Sequence, residues 1–178
     1  MRLTSCRQRS GIWWSDCWTT LKELDRQVGQ LEAQIKAWHR SSALSQKLEK
    51  IPGIGPLGAS ALVASIADAR SFANGRQVSA WIGLVPRQHS SGGKPTLLGI
   101  SKRGDVYLRT LLIHGARSAI VAAQRSAAVN PWLAGLLRRR NPNIAAVALA
   151  NKNARTVWAL LAHDREFRPD HVPTLAAI

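Results

Sequence analysis

The segment from Ile51 to Pro56 has a residue pattern suited to holding a phosphate. It reads Ile-Pro-Gly-Ile-Gly-Pro and lies between two stretches of helical periodicity. Gly53 and Gly55 allow a tight turn that leaves backbone N–H groups uncovered. Those groups would stand at the start of the next helix, where partial positive charge favours an anion. The segment predicts a helix-hairpin-helix-like turn that grips a nucleic-acid backbone. An ordinary Gly-Pro turn between packed helices is the alternative.

A second segment, His89 to Lys94, places two serines beside two glycines. It reads His-Ser-Ser-Gly-Gly-Lys, and Ser-Lys-Arg-Gly-Asp follows at residues 101–105. A serine beside glycines lies on accessible backbone, but it needs a base or a metal, and cations around the developing charge, to act as a nucleophile. Four cations lie within reach along the chain: Lys94, Lys102, Arg103 and Arg109. The segment is a candidate for attack on a phosphodiester, and a flexible polar loop is the alternative.

The charge balance points to a polyanionic partner. The chain has 25 Lys and Arg against 10 Asp and Glu, a formal net charge of +15. Between Ala69 and His163 there are 14 basic residues and a single acid, Asp105. Neutralising phosphates would relieve the self-repulsion of such a stretch, so nucleic acid is the expected partner. A merely solvated basic surface and an anionic membrane surface are the alternatives.

Several function classes are disfavoured by composition. No apolar run approaches the ~18 residues that indicate a membrane span, so no membrane is expected as partner. Cys6 and Cys17 are too few for a disulfide framework and lack companions for a zinc site, so no metal is expected in this chain. A reduced cytoplasmic setting fits these features.

The clearest element ahead of these segments is a heptad helix from Leu21 to Trp38. Its apolar residues follow the alternating spacing of three and four that marks an a/d seam: Leu21, Leu24, Val28, Leu31, Ile35 and Trp38. Asp16 and Thr19 are candidate caps for its start. The seam predicts a homo-oligomer formed through this helix. A helix folded back onto its own domain would show the same pattern.

The remaining pattern predicts an all-α fold: a heptad, coiled-coil-like helix followed by a compact helical domain that contains the hairpin turn. Further helices are expected at 42–50, 57–66, 74–81, 101–124, from Pro131 to near Arg140, and from Pro142 onward. Residues 84–100 read as a loop with a short extended pair. The predicted regions are an irregular lead-in at 1–18, the heptad and linker helices at 19–50, a DNA-binding domain at 51–163 and a frayed tail at 164–178.

Three blocks together resemble a known family. They read IPGIGPLGASALVASIADARSF from Ile51, WIGLVPRQHSSGGK from Trp81 and GISKRGDVYLRTLLIHGAR from Gly99. Their order and spacing are similar to the C-terminal transposase domain of the insertion-sequence 110 family, relatives of the Piv/MooV DNA invertases. The heptad helix resembles the coiled linker of the same family.

The resemblance implies a specific chemistry. Such enzymes pair this domain with an N-terminal RuvC-like domain whose four acidic residues bind Mg²⁺. A serine before glycine attacks a DNA phosphate and forms a transient covalent link, and some members are guided by an RNA. The family serine maps to Ser91 with Gly92 beside it, and Ser90 is the fallback because the doublet leaves the register open by one.

The chain also departs from the family pattern. No RuvC-like segment precedes the heptad helix, and Asp16, Glu23, Asp25 and Glu32 lie on or beside that helix, so we do not accept them as a metal tetrad. Mg²⁺ is expected only with a RuvC-like domain, and without it phosphoryl transfer should be very slow. We therefore expect a DNA-binding recombinase domain that is inactive alone. A non-catalytic nucleic-acid-binding module, or a regulator of a full-length transposase, is the alternative.

Overall fold

Seven helices and one small sheet make up the part of the chain that the computed structural model describes, which is residues 4–89, 96–126 and 130–169. Side chains are described for these residues except 4–13 and Leu97. The helices are α1 (Thr4–Ser41), α2 (Ala43–Glu49), α3 (Pro56–Ser65), α4 (Gly75–Ile82), α5 (Val106–Arg125), α6 (Pro131–Arg139) and α7 (Pro142–Ala162), with a 3₁₀ turn at Ala69–Ser71. The strands are β1 (Pro86–Gln88) and β2 (Leu97–Ile100). The prediction of an all-α fold is confirmed.

The first helix differs from its predicted bounds. It begins at Thr4 and includes residues that were expected to form an irregular lead-in at 1–18. Neither expected cap forms, because Asp16 and Thr19 lie inside the helix. The Thr19 hydroxyl donates to the carbonyl oxygen of Ser15 at 2.9 Å, which is the bond a mid-helix threonine makes one turn back. The irregular prediction rested on the missing apolar period, and helix formation here does not require one.

The core forms where α7 meets the other helices. Four of its alanines are fully buried: Ala145, Ala146, Ala150 and Ala154. Side chains this small let helix backbones approach closely, and α7 accordingly contacts α2, α4, α5 and α6. From α5, Leu108, Leu112 and Ala116 pack into the same core. α7 is therefore the central helix of the domain.

Helix ends are set by local capping chemistry that the sequence shows. Asn130 and Asn141 cap α6 and α7, each followed by a proline at the first helical position. Asn74 caps α4, and Gly83 ends it with φ +81°. The two strands pair in antiparallel fashion, which matches the predicted extended pair. α7 ends at Ala162; part of the predicted frayed tail, from residue 170 onward, lies outside the described residues. None of the described helices is long and apolar enough to cross a membrane.

Candidate nucleic-acid interface

The turn between α2 and α3 packs directly on α5. Ile51 and Ile54 are buried on either side of Gly53, whose φ of +88° suits glycine. A Cβ on Gly53 would lie 2.6 Å from the carbonyl oxygen of Gly115, and a Cβ on Gly115 would overlap the carbonyl oxygen of Gly53. The two backbones therefore touch without any side chain between them. Gly53 has a packing role here, which the sequence could not distinguish from exposure to a ligand.

The second glycine of the turn faces solvent. Gly55 is exposed and caps α3, and a Cβ there would meet nothing within 4 Å. Among the described residues, no acceptor takes its N–H group. The turn is also held by α7, because the Asn153 side-chain amide donates to the carbonyl oxygen of Pro52 at 2.8 Å. Gly55 thus presents a backbone donor on a turn that is fixed from two helices.

The serine segment is flanked by a hydrogen-bonded pair of residues. The His89 N–H donates to the carbonyl oxygen of Thr96 at 2.9 Å, which continues the pairing of β1 with β2. The predicted site residues Ser90, Ser91, Gly92 and Lys94 lie outside the described residues. β1 with His89 on one side, and Thr96 with β2 on the other, form the frame of the segment.

Hydrogen bonds and a close backbone approach hold the two ends of the β-hairpin against the domain. The Lys102 N–H donates to the carbonyl oxygen of Gly83 at 3.1 Å, and the Asn151 side-chain amide of α7 donates to that of Leu84 at 3.0 Å. A Cβ on Gly83 would overlap the carbonyl oxygen of Arg103. The entry and exit of the β-hairpin are thereby fixed to α4 and α7.

The structure corrects the prediction for Arg109. This side chain was expected to contact phosphate, but only 8% of the residue is exposed. Its guanidinium donates to the carbonyl oxygen of Ile82 at 2.9 Å, at the C-terminal end of α4. Cations are favoured there because the last carbonyl groups of a helix carry partial negative charge. Arg109 therefore joins α5 to α4 at the base of the β-hairpin.

Lys102 and Arg103, which the sequence predicts to bind DNA, follow the β-hairpin directly in the chain. Both side chains are exposed, and Lys102 adopts φ +55°, which is uncommon for a residue other than glycine. The neighbouring acid Asp105 is occupied as the cap of α5, where it accepts from the Leu108 N–H at 2.9 Å. The two cations are consequently available to an anionic ligand.

No ion pair neutralises the cations of the basic stretch in the residues that the structure describes. Within the described parts of residues 69–163, no carboxylate lies within 4.0 Å of any Lys or Arg nitrogen. At its edge, Lys47 hydrogen-bonds Asp164 and, with a weaker contribution from Arg70, holds the pKa of that carboxyl below its usual range. We name the exposed cations of this stretch the basic surface: Arg70, Arg76, Arg87, Lys102, Arg103, Arg117, Arg125, Arg138, Arg139, Arg140 and Arg155.

No metal site is assembled in the described residues. Among them, no three His, Cys, Asp or Glu side chains come close enough together to hold a metal ion. The four acids Asp16, Glu23, Asp25 and Glu32 are exposed and spread along α1. The residues that the structure describes do not fit a Mg²⁺ ion.

A buried polar cluster joins α1 to the domain, and the sequence did not point to it. His39 is 5% exposed. Its Nδ1 lies 2.7 Å from the Ser45 hydroxyl, and its Nε2 lies 2.9 Å from a carboxylate oxygen of Glu49. Ser45 is fully buried, so this Ser-His-Glu arrangement has no access for a substrate. We conclude that it positions α1 relative to α2.

The heptad face of α1 is largely uncovered in the chain as described. Every residue from 14 to 34 is exposed, including Leu24 at 52% and Leu31 at 58%. Exposure falls only near the C-terminal end, at Ile35 and His39. The alternative in which the seam folds back onto the domain is therefore not what the structure contains.

Comparison with known proteins assigns this domain to a family. Residues 45–130 match the family described as "Transposase IS116/IS110/IS902 family". The chain is 55% identical over 150 residues to a "Probable family 20 transposase" of Pseudomonas aeruginosa, covering 84% of this chain and 44% of that protein. It is 48% identical over 152 residues to the "Transposase for insertion sequence element IS1111A" of Coxiella burnetii, covering 85% and 42%.

A more distant relative is named for gene inversion and not for transposition. The "Pilin gene-inverting protein" of Moraxella bovis is 29% identical over 159 residues, which is 86% of this chain and 46% of that protein. The chain thus spans less than half the length of these relatives. Its matched region includes the α2–α3 turn, the β-hairpin and α5. Residues 45–130 are therefore a domain of the IS116/IS110/IS902 transposase family.

Proposed function

We propose that the chain is the DNA-contacting domain of a transposase or site-specific recombinase. The observation that carries this proposal is the basic surface, whose cations have no carboxylate partner in the described residues 69–163, within a chain that contains a transposase-family domain. Phosphate contacts from such a surface would position DNA without reading its sequence. Gly55 supports the proposal, because its uncovered N–H stands at the start of α3, where a helix favours an anion.

The proposed chemistry uses Ser91. The resemblance places the nucleophilic serine before a glycine, and Ser91 precedes Gly92, with Ser90 as the fallback. The serine hydroxyl would give up its proton to a base or solvent as its oxygen bonds to phosphorus, the bond from phosphorus to one strand oxygen would break, and that oxygen would take up a proton. Lys94, Lys102 and Arg103 would offset the charge that develops on the phosphate. Mg²⁺, which the resemblance implies, would be held by a RuvC-like domain and not by the described residues of this chain.

DNA binding should be strong at low salt and weak at high salt. For a ~30-base-pair duplex, we expect the Kd to rise by roughly 10³-fold or more between 50 and 200 mM NaCl, because six or more phosphate contacts release counterions. Replacing Lys102 and Arg103 by glutamine should weaken binding and lower the salt slope by about 2. Glutamine is chosen because it removes the charge without altering the backbone demand at Lys102.

The matched control removes the same charge from α1. Lys22→Gln with Lys36→Gln changes two exposed lysines outside the basic surface and should leave the salt slope nearly unchanged. Fluorescence anisotropy at five salt concentrations measures both slopes. A Kd that stays flat across this range would refute the electrostatic proposal. Running a structured RNA in parallel tests whether the same surface also accepts a guide RNA.

We also propose that the uncovered face of α1 mediates self-association. Burying three heptads of apolar side chains would supply several kcal/mol at about 25 cal/mol per Å², before the entropy of association is subtracted. Leu24→Glu with Leu31→Glu should convert a dimer into a folded monomer, because both side chains lie outside the domain core.

The control for this experiment adds the same charge to the opposite face. Gln30→Glu with Ala33→Glu introduces two carboxylates at exposed positions that the seam does not use. Sedimentation velocity at micromolar concentration should show a dimer for this control and for the unchanged chain. A monomeric unchanged chain, or loss of helical circular dichroism in the Leu24/Leu31 variant, would contradict the proposal.

A further inference from the structure

The uncovered face of α1 has a defined set of interhelical positions. We name its a and d residues the apolar stripe: Trp14, Leu21, Val28 and Ile35 at a, with Leu24, Leu31 and Trp38 at d. Continuing the same count back by one heptad places the exposed Cys17 at a d position. Exposure along the stripe reaches 78% at Trp14, and nothing described in this chain covers it from residue 14 to 34. Helices are stabilised mainly by packing of an amphipathic face, so this stripe requires a partner.

The residues that flank the stripe carry charge on one side only. The e positions hold Asp25 and Glu32, whereas the g positions hold Thr20, Gln27 and Gln34. Both acids are exposed, and Glu32 lies 3.6 Å from the ammonium nitrogen of Lys36 on the same helix, which offsets part of its charge, whereas no cation lies within 4.0 Å of Asp25 among the described residues. The other two acids of this segment, Asp16 and Glu23, both lie at c positions, away from the stripe, and Glu23 is paired with Arg26 at 2.6 Å. The flanks of the stripe are therefore acidic on one edge and neutral on the other.

This asymmetry separates the two orientations in which copies of α1 can pair. In an antiparallel pair e positions face e positions, which sets Asp25 against Glu32 of the second copy twice by symmetry. Like charges across an interface oppose association. In a parallel pair each g position faces the e position of the following heptad. Gln27 then donates toward Glu32 of the second copy, and Thr20 toward Asp25, with no like-charge contact.

We infer that α1 pairs with a second copy of itself in parallel and in register, through the apolar stripe, with Cys17 facing Cys17 across the axis. The inference deepens the self-association proposed above and rests on it. A second copy is the occupant favoured by the residues, because the stripe keeps the a/d repeat that two identical helices share. The acid-free g edge is what makes the parallel arrangement free of charge repulsion.

Cys17 reports on the orientation directly. In a parallel, in-register pair the two Cys17 residues occupy one d layer, where their Cα atoms come within the ~7 Å that a disulfide spans. In an antiparallel pair centred between Val28 and Leu31, Cys17 would lie opposite residue 42. The two cysteines would then be about 37 Å apart along the axis, at 1.5 Å per residue. Only the parallel pair permits a disulfide between them.

The experiment oxidises the whole chain carrying Cys6→Ser, so that Cys17 is its single thiol. Diamide takes two electrons and two protons from a pair of thiols, forming a disulfide and becoming the hydrazine. We expect most of the chain to run as a covalent dimer on a non-reducing gel and to return to monomer with dithiothreitol. Adding Leu24→Glu and Leu31→Glu should abolish this product, which excludes collisional cross-linking.

The possible failures are distinguishable. Titration with an aromatic disulfide reagent first establishes that Cys17 reacts. If sedimentation shows a dimer and the reactive Cys17 forms no disulfide, the parallel orientation is overturned while self-association stands. If the chain is monomeric, both are overturned. DNA binding by the basic surface is measured separately and is affected by neither result.

Discussion

Gly115→Ala is expected to destabilise the domain by at least ~3 kcal/mol, although alanine normally favours a helix. Gly115 lies inside α5, and its added Cβ would overlap the carbonyl oxygen of Gly53. Gly53 cannot retreat easily, because Ile51 and Ile54 on either side of it are buried and Asn153 holds the preceding carbonyl. Relief of the overlap would require α5 to separate from the α2–α3 turn, which exposes core surface.

The control is the same substitution in another helix. Gly135 lies inside α6, and a Cβ there would meet nothing within 4 Å. Gly135→Ala should therefore stabilise the chain by about 0.5–1 kcal/mol, through the loss of backbone freedom in the unfolded state. Urea unfolding followed by circular dichroism gives both free energies. If the two variants had equal stability, the close approach of the turn to α5 would be wrong.

Ser91→Ala should abolish covalent attachment of the protein to DNA, by at least about 10³-fold, because the oxygen that bonds to phosphorus is removed. The substitution is made in a fusion of this chain to a RuvC-like domain, since the resemblance implies that the metal comes from there. Protein–DNA adducts trapped by denaturation and resolved on a gel measure the result. DNA affinity should remain unchanged, because the hydroxyl carries no charge.

Ser90→Ala is the matched control and should retain adduct formation. The reverse pattern would assign the nucleophile to Ser90 and move the register by one residue. If the unchanged fusion forms no adduct although it binds DNA, the catalytic proposal fails and the non-catalytic binding module takes its place. The experiment thereby distinguishes a protein that binds DNA without forming an adduct from one in which Ser90, and not Ser91, is the nucleophile.

Local chemistry explains why the helix boundaries could be predicted from the sequence. Each of α4, α6 and α7 begins with an asparagine cap, and Gly83 ends α4 in the one conformation that favours glycine. Such features depend on neighbours within four residues, so the sequence displays them. The prediction of an irregular region at 1–18 was wrong, because α1 already begins at Thr4. That prediction relied on the absence of an apolar period, and a helix outside the core need not have one.

Contacts between distant segments explain most of what could not be predicted at the site. Nothing near Gly53 indicates that its backbone will touch Gly115, and nothing near Pro52 points to Asn153. For Arg109 a warning was present, since it precedes the buried Leu112, Ala116 and Ile120 at helical spacing and so shares their face. Arg109 was nevertheless predicted to contact DNA, because that prediction relied on the number of basic residues nearby and not on the buried face of α5.

The buried cluster at His39 sets the direction in which α1 leaves the domain. Residues 14 to 38 of α1 form a rod of about 36 Å, at 1.5 Å per residue, and His39 sits at the joint where that rod leaves the domain. A tilt of about 10° at the joint would displace the far end of the rod by roughly 6 Å relative to the domain. In the parallel pair we propose, both domains lie at the His39 end of the coil, so the angle at this joint would set the orientation of the two basic surfaces relative to each other. A change of that angle would then change the path along which one DNA molecule could contact both surfaces.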